Sequence, residues 1–221
     1  MKYIIANWKM NLNVKDLRNW ATTFNKSISK VEKKSQISGK KIVLAPSFPY
    51  ISIVKDLVDR KVDIAAQDVS IHENGAYTGF TGAFQIKDFC KIAIVGHSER
   101  KEPADLVLKK RDICLKFGIT PIVCFGKPKD ALKFHKKGAL IAWEDPENIS
   151  KGGKYRASDP TNIAKTIASI KNIVPESKLI YGGSVNRKNI EELTQINGLA
   201  GVLIGNASND PKHFVDIINK S

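Results

Sequence analysis

Hydrophobic residues in this chain gather into short runs that recur from one end to the other. Segments 3–6, 41–45, 62–66, 91–96, 120–125, 139–143, 178–182 and 201–205 are rich in β-branched residues and almost continuously apolar. A strand with one face in water alternates, whereas an unbroken apolar run suits a parallel strand covered on both faces. Between these runs, segments 14–29, 50–58, 103–117, 160–173 and 210–219 place apolar residues at a spacing near 3.6 and predict helices. Pro103 and Pro160 suit a first helical turn, where a missing N–H costs nothing. Asp159 reads as an N-cap, and Gly118 stands where a helix stop is expected. No linker or break in composition interrupts the alternation, which predicts one α/β domain over 1–221. Eight repeats favour a closed (β/α)8 barrel. An open doubly wound sheet shares the local pattern, but its first turn carries phosphate-binding glycines and "IIANWKMN" has none.

Composition leaves this reading intact, and charge adds to it. The formal net charge is +14 and comes mostly from lysine, in singles and in pairs such as Lys33-Lys34, Lys40-Lys41, Lys109-Lys110 and Lys136-Lys137. A nucleic-acid binder shows arginine clusters interleaved with aromatics, or a recognisable module, and the sequence offers neither. Solvated lysine is the plain reading, with a positive field able to speed capture of a small anion. The cysteines Cys90, Cys114 and Cys124 form no CxxC pair or His–Cys cluster, so neither a metal nor redox chemistry is expected. Reduced, buried thiols fit a cytoplasmic protein. The first apolar run is broken at Asn7 and Lys9, too early for a signal peptide, and no segment has the length of a membrane span. Neither nucleic acid nor membrane is expected as a partner.

In a closed barrel the chemistry collects where strands end and βα turns begin. The first strand ends in Asn7-Trp8-Lys9, and alternation sends Asn7 and Lys9 to one side and Trp8 to the other. The fourth ends in "VGHSER", where Ser98 and Glu99 can open a short helix whose amides face His97. The sixth ends at Glu144, the seventh at Gly182-Gly183-Ser184, and the eighth at Gly205-Asn206. Each alone has a plain structural reading: a first solvated lysine, a structural histidine, ordinary turn glycines. Together they supply a cation, an imidazole, a carboxylate and two glycine turns on the last two strands, where a barrel frequently holds phosphate through backbone N–H groups.

Four motifs, "ANWKMN", "NGAYTG", "GHSER" and "YGGSV", stand in an order that resembles the triosephosphate isomerase family over essentially the whole length. The resemblance implies a single (β/α)8 TIM barrel that interconverts dihydroxyacetone phosphate and glyceraldehyde 3-phosphate, with no cofactor and no metal. It implies Glu144 as the base, His97 as the electrophile, Lys9 as fixed positive charge with Asn7 as a further donor, and Glu99 as the acidic partner of that lysine. The substrate phosphate is expected against Ser150, Gly183, Ser184, Gly205 and Asn206, under a lid that follows Glu144 and is held closed by Tyr181 and Ser184. Thr78 matches the residue that reaches toward a neighbouring subunit's site.

Three departures qualify the resemblance. The lid reads "EDPENISKGG", with Asp145 between Glu144 and the proline, and Asp145 is expected to point away from the base. Its proline one position late, like the reduced fifth helix "PKDALKFHKK", looks closer to compact archaeal members. Asn206 replaces a second glycine, a tolerable change if the turn is left-handed, since asparagine enters that region more readily than most residues. Phe80 replaces the glutamate expected to pair with a partner's arginine, matched here by Arg100, and such a residue suits burial between subunits. A homo-oligomer is expected, a dimer in preference to a tetramer. Two rival readings share these features: another phosphate-binding barrel isomerase or aldolase, and a basic binding or structural protein on a barrel that has lost catalysis.

Overall fold

The computed structural model describes residues 2–32, 38–145 and 159–221. Eight parallel strands follow one another in chain order around a closed barrel. They are β1 (Lys2–Asn7), β2 (Lys40–Ala45), β3 (Asp63–Ala66), β4 (Ile92–Val95), β5 (Thr120–Phe125), β6 (Leu140–Trp143), β7 (Lys178–Tyr181) and β8 (Leu199–Ile204). The ring closes where β1 pairs in parallel with β8, Tyr3 opposite Gly201. Each predicted run therefore became a strand, and the open sheet is excluded.

Alternation along the strands divides the apolar residues into two layers. Ile5, Val43, Ile94, Ile122, Leu140 and Ile180 fill the barrel interior with their neighbours. Ile4, Leu44, Val95, Val123, Ile141 and Val202 face outward into the larger cluster under the helices. Both faces are dry, which is why the runs are continuous.

The helices are α1 (Val14–Glu32), α2 (Ile51–Leu57), α3 (Ala83–Ile86), α4 (Ala104–Lys116), α5 (Ala131–Phe134), α6 (Pro160–Ile173), α7 (Ile190–Gln195) and α8 (Pro211–Lys220). Asp159 caps α6 by accepting from the Thr161 N–H at 2.9 Å. Gly118 follows α4 at φ 73° in the left-handed region, as a stop requires. Pro103 is the N-cap of α4 and lies one position before its expected first turn. The predicted 50–58 helix begins earlier as a 3-10 turn, Phe48–Tyr50, before α2. Trp8 packs outward, its ring 4.6 Å from Trp20, which stacks on Phe24; Phe24 stacks in turn on Phe214 and so joins α1 to α8.

The fifth helix is as short as the sequence implied, a single α turn after a 3-10 turn at Pro128–Asp130. Its last carbonyls are met from outside the helix. Arg111 of α4 is buried and its guanidinium donates to the Lys133 and Phe134 carbonyls, each at 3.2 Å.

Candidate active site

Five strand ends converge on a cavity of about 700 Å³ whose walls include Asn7, Lys9, His97, Glu144, Ser184 and Gly205. At the end of β1, Lys9 takes a left-handed backbone, φ 54°, and its N–H bonds the Asn7 side chain at 3.0 Å. Its carbonyl accepts from Ser47 Oγ and from Gln67 Nε2, both at 2.9 Å, so the ends of β2 and β3 fix the turn. The ammonium group meets Glu99 Oε1 at 2.6 Å.

At the end of β4, Gly96 has φ 71°, and a Cβ there would lie 2.6 Å from Val107 Cγ1, so no larger residue fits. His97 then opens the 3-10 turn Ser98–Arg100, and its Nδ1 accepts from the Glu99 N–H at 3.3 Å. A ring nitrogen that accepts carries no proton, which leaves Nε2 as the nitrogen able to donate. Nε2 lies 3.1 Å from Glu144 Oε1.

Glu144 is only 4% exposed. Its carboxylate accepts from the Ser98 N–H at 2.8 Å and from Ser98 Oγ at 3.0 Å. The Cys124 thiol also hydrogen-bonds it, and burial, then the charge of Glu144, holds that thiol well above the ordinary cysteine range. The base candidate is thus parked on the β4 turn beside a protonated, unreactive sulfur.

Gly182 bonds back to the Trp143 carbonyl at 2.8 Å and begins the turn after β7. A Cβ on Gly183 would lie 2.1 Å from the Tyr181 hydroxyl, so the absent side chain is what lets this turn close over the buried tyrosine. Ser184 is buried within the turn. After β8, Gly205 precedes a 3-10 turn, Asn206–Ser208. Asn206 is not in the left-handed region, so the turn asks nothing unusual of it; the left-handed non-glycine at the site is Lys9.

The sequence profile described as "Triosephosphate isomerase" matches residues 2–221. The chain belongs to the triosephosphate isomerase family. A protein of that name from Wolbachia pipientis wMel is 34% identical, with 98% of this chain and 93% of that one covered. One from Mesomycoplasma hyopneumoniae (strain 7448) is 31% identical over 100% of this chain and 99% of its own. One from Polynucleobacter asymbioticus is 30% identical, with 97% of each covered. The Mesomycoplasma alignment takes 249 positions to span the 221 residues of this chain, as a trimmed member of the triosephosphate isomerase family requires.

Of the residues expected from the sequence, Asn7, Lys9, His97, Glu144, Gly183, Ser184, Gly205 and Asn206 line one cavity. Glu99 stands behind Lys9, and Tyr181 lies wholly buried beneath Gly183. Thr78 is exposed and outside the cavity. Ser150 and the rest of the expected lid, 146–158, lie outside the described residues. Asp145 is half-buried and is not among the cavity's lining residues. Sequence reasoning missed Gln67, Ser98 and Cys124 as supports. Ser98 sat within "GHSER", and Gln67 directly follows the third apolar run, where an uncharged amide gives no signal of its own. Among the described residues no helix is long and apolar enough to cross a membrane, and no group of three or more His, Cys, Asp or Glu is placed to hold a metal ion.

Proposed function

We propose that Glu144, His97, Lys9 and Asn7 interconvert dihydroxyacetone phosphate and D-glyceraldehyde 3-phosphate, the isomerase step of glycolysis and gluconeogenesis, without cofactor or metal. One observation carries this reading: a carboxylate, an imidazole able to donate from Nε2 and an ammonium group meet in a single cavity whose other wall is a pair of glycine turns. Glu144 removes a proton from the carbon next to the substrate carbonyl. The electron pair moves onto the carbonyl oxygen, giving an enediol(ate), and Glu144 returns the proton to the neighbouring carbon. His97 Nε2–H donates to the oxygens, while Lys9 supplies fixed charge where negative charge grows. Neutral histidine in this role is the known arrangement of the family. In this chain the Glu99 N–H on Nδ1 supports the same state.

Both oxygens of Glu144 are engaged by Ser98. A carboxylate so held cannot reach a substrate carbon, so substrate binding must release it, and the lid closing over it would strip the water that weakens it as a base. The phosphate is assigned to the backbone of Gly183, Ser184, Gly205 and Asn206, with Ser150 of the lid. Purified protein should isomerise glyceraldehyde 3-phosphate rapidly and form little methylglyoxal. A folded protein without turnover would favour the non-catalytic barrel.

The reaction and the three free, buried cysteines support a cytoplasmic location. We assign the active form to a homodimer. Phe80 is 61% exposed, with His72 edge-on at 5.7 Å and Tyr77 stacked on His72 at 3.7 Å, an aromatic cluster that suits a subunit interface. Arg100 is engaged within its own chain by Asp68 at 2.8 Å and Glu102 at 2.9 Å, so an apolar contact through Phe80 leaves no arginine unpaired. Phe80→Asp is expected to lower the weight-average mass in sedimentation toward that of one chain. Wild-type protein already at that mass at micromolar concentration would overturn the assignment.

A further inference from the structure

The turn after β7 is braced internally. Asn189 Nδ2 donates to the Ser184 carbonyl at 2.8 Å, its Oδ1 accepts from the Asn186 N–H at 2.9 Å, and Asn186 Oδ1 accepts from the Lys188 N–H at 2.8 Å. A unit tied together in this way moves as one piece, so its position depends on what anchors it. One anchor comes from α8: the Arg187 N–H donates to His213 Nε2 at 3.2 Å. A second, between Arg187 Nη1 and Asp216 Oδ2 at 3.4 Å, is largely exposed and correspondingly weak.

His213 is tied equally well to the turn after β8. Its backbone N–H donates to Asp210 Oδ1 at 2.7 Å, and Asp210 is the cap joining that turn to α8. His213, Asp210, Asn186 and Ser184 all border the cavity that holds Glu144. His213 therefore joins the two turns, through its imidazole on the β7 side and through its backbone N–H in the α8 cap on the β8 side.

We propose that His213 is a positioning residue that sets the spacing between the two turns of the anion cradle, and that it does so only while its imidazole is neutral. The inference rests on the assignment of the phosphate to these turns. Nε2 holds Arg187 by accepting, and an imidazolium has no lone pair left to accept with. Three charged groups face the ring: Arg187 from the β7 turn, Asp210 at the helix cap and Asp216 one turn along α8. Burial first, and then Arg187, hold the His213 pKa below its ordinary value, against the opposing pull of Asp210 and Asp216. The clamp is thus closed at neutral pH and opens as the solution becomes acidic.

Inorganic sulfate is a suitable probe because it stays dianionic throughout the range in which histidine titrates, unlike the substrate phosphate. In wild-type protein its competitive inhibition constant is expected to weaken about three- to ten-fold on passing from about pH 7.5 to about pH 5.5, the effect of one hydrogen bond. His213→Gln keeps an acceptor that does not titrate and should lose most of this dependence. His213→Met has no acceptor and should bind sulfate weakly at both pH values. Electrostatics alone gives the opposite sign, since a protonated His213 would draw the anion in. Tighter sulfate binding by wild type at acidic pH, or equal pH dependence in wild type and His213→Gln, would overturn the clamp. Sulfate that does not compete with substrate at any pH would remove the cradle assignment and the clamp with it.

Discussion

Glu144→Gln is expected to lower kcat for triose phosphate isomerisation by about a hundred- to ten-thousand-fold, the usual range for loss of a general base. KM should change little. The amide has the size of the carboxylate, and its oxygen can still accept from the Ser98 N–H that holds Glu144 at 2.8 Å. Folding and phosphate contacts are therefore retained while the basic oxygen is lost. A steady-state assay in both directions, with methylglyoxal followed in parallel, separates the outcomes. A variant within ten-fold of wild type would mean that a different group takes the proton and that Glu144 has a structural role beside Ser98.

Lys110→Met should destabilise the fold by about 3–5 kcal/mol, the cost of breaking a buried ion pair from one side. The Lys110 ammonium is nearly inaccessible and lies 2.6 Å from Asp68 Oδ1 and 2.6 Å from Glu102 Oε1. Methionine fills the volume but leaves two buried carboxylates to share Arg100. Burial pushes the Glu102 carboxyl up, yet hydrogen bonds from Lys110 and Arg100 outweigh it and hold its pKa below the ordinary value. Glu102 therefore stabilises the fold above the ordinary carboxylate range, and this contribution is lost as pH falls through its lowered pKa. Removing Lys110 should carry that loss to higher pH. Denaturant midpoints at two pH values, with an unchanged m-value, give both quantities. Asp68 follows Gln67 and Glu102 follows the "GHSER" turn, so activity should fall as well. A variant as stable as wild type would show that Arg100 alone neutralises the pair.

The barrel was legible because both faces of every strand are buried, which turns each strand into an unbroken apolar run. The short helices were not. Four residues at Ala83–Ile86 and six at Ile190–Gln195 are too few to display a 3.6-residue period, and only the closure of the barrel shows that a crossover must lie there. At the site, the residues that carry charge or lack side chains stood out at strand ends. Those that orient them did not, because their contacts are made across the barrel. Gln67 reaches the carbonyl of Lys9, and Cys124 lies beside Glu144 from the neighbouring strand. The left-handed backbone of Lys9 was hidden for a related reason: the Ser47 and Gln67 side chains that bond its carbonyl come from the next two strand ends.

The shortened fifth helix has a consequence for how this chain can vary. In a full-length crossover, the end of a helix is covered by successive turns, and a substitution in one turn is absorbed by the next. Here Arg111 Nη1 reaches the carbonyls of Lys133, Phe134 and His135 from a different helix. Its Nε is at the same time 2.8 Å from Asp112 Oδ1, and lysine, with a single donor centre, cannot hold both ends at once. Shortening has therefore moved part of this region's constraint out of the segment that was shortened: the exposed Leu132 and Lys133 are free to drift as long as the carbonyls stay in place, Ala131 and Phe134 are held by the core, and position 111, far from the cavity, has become fixed.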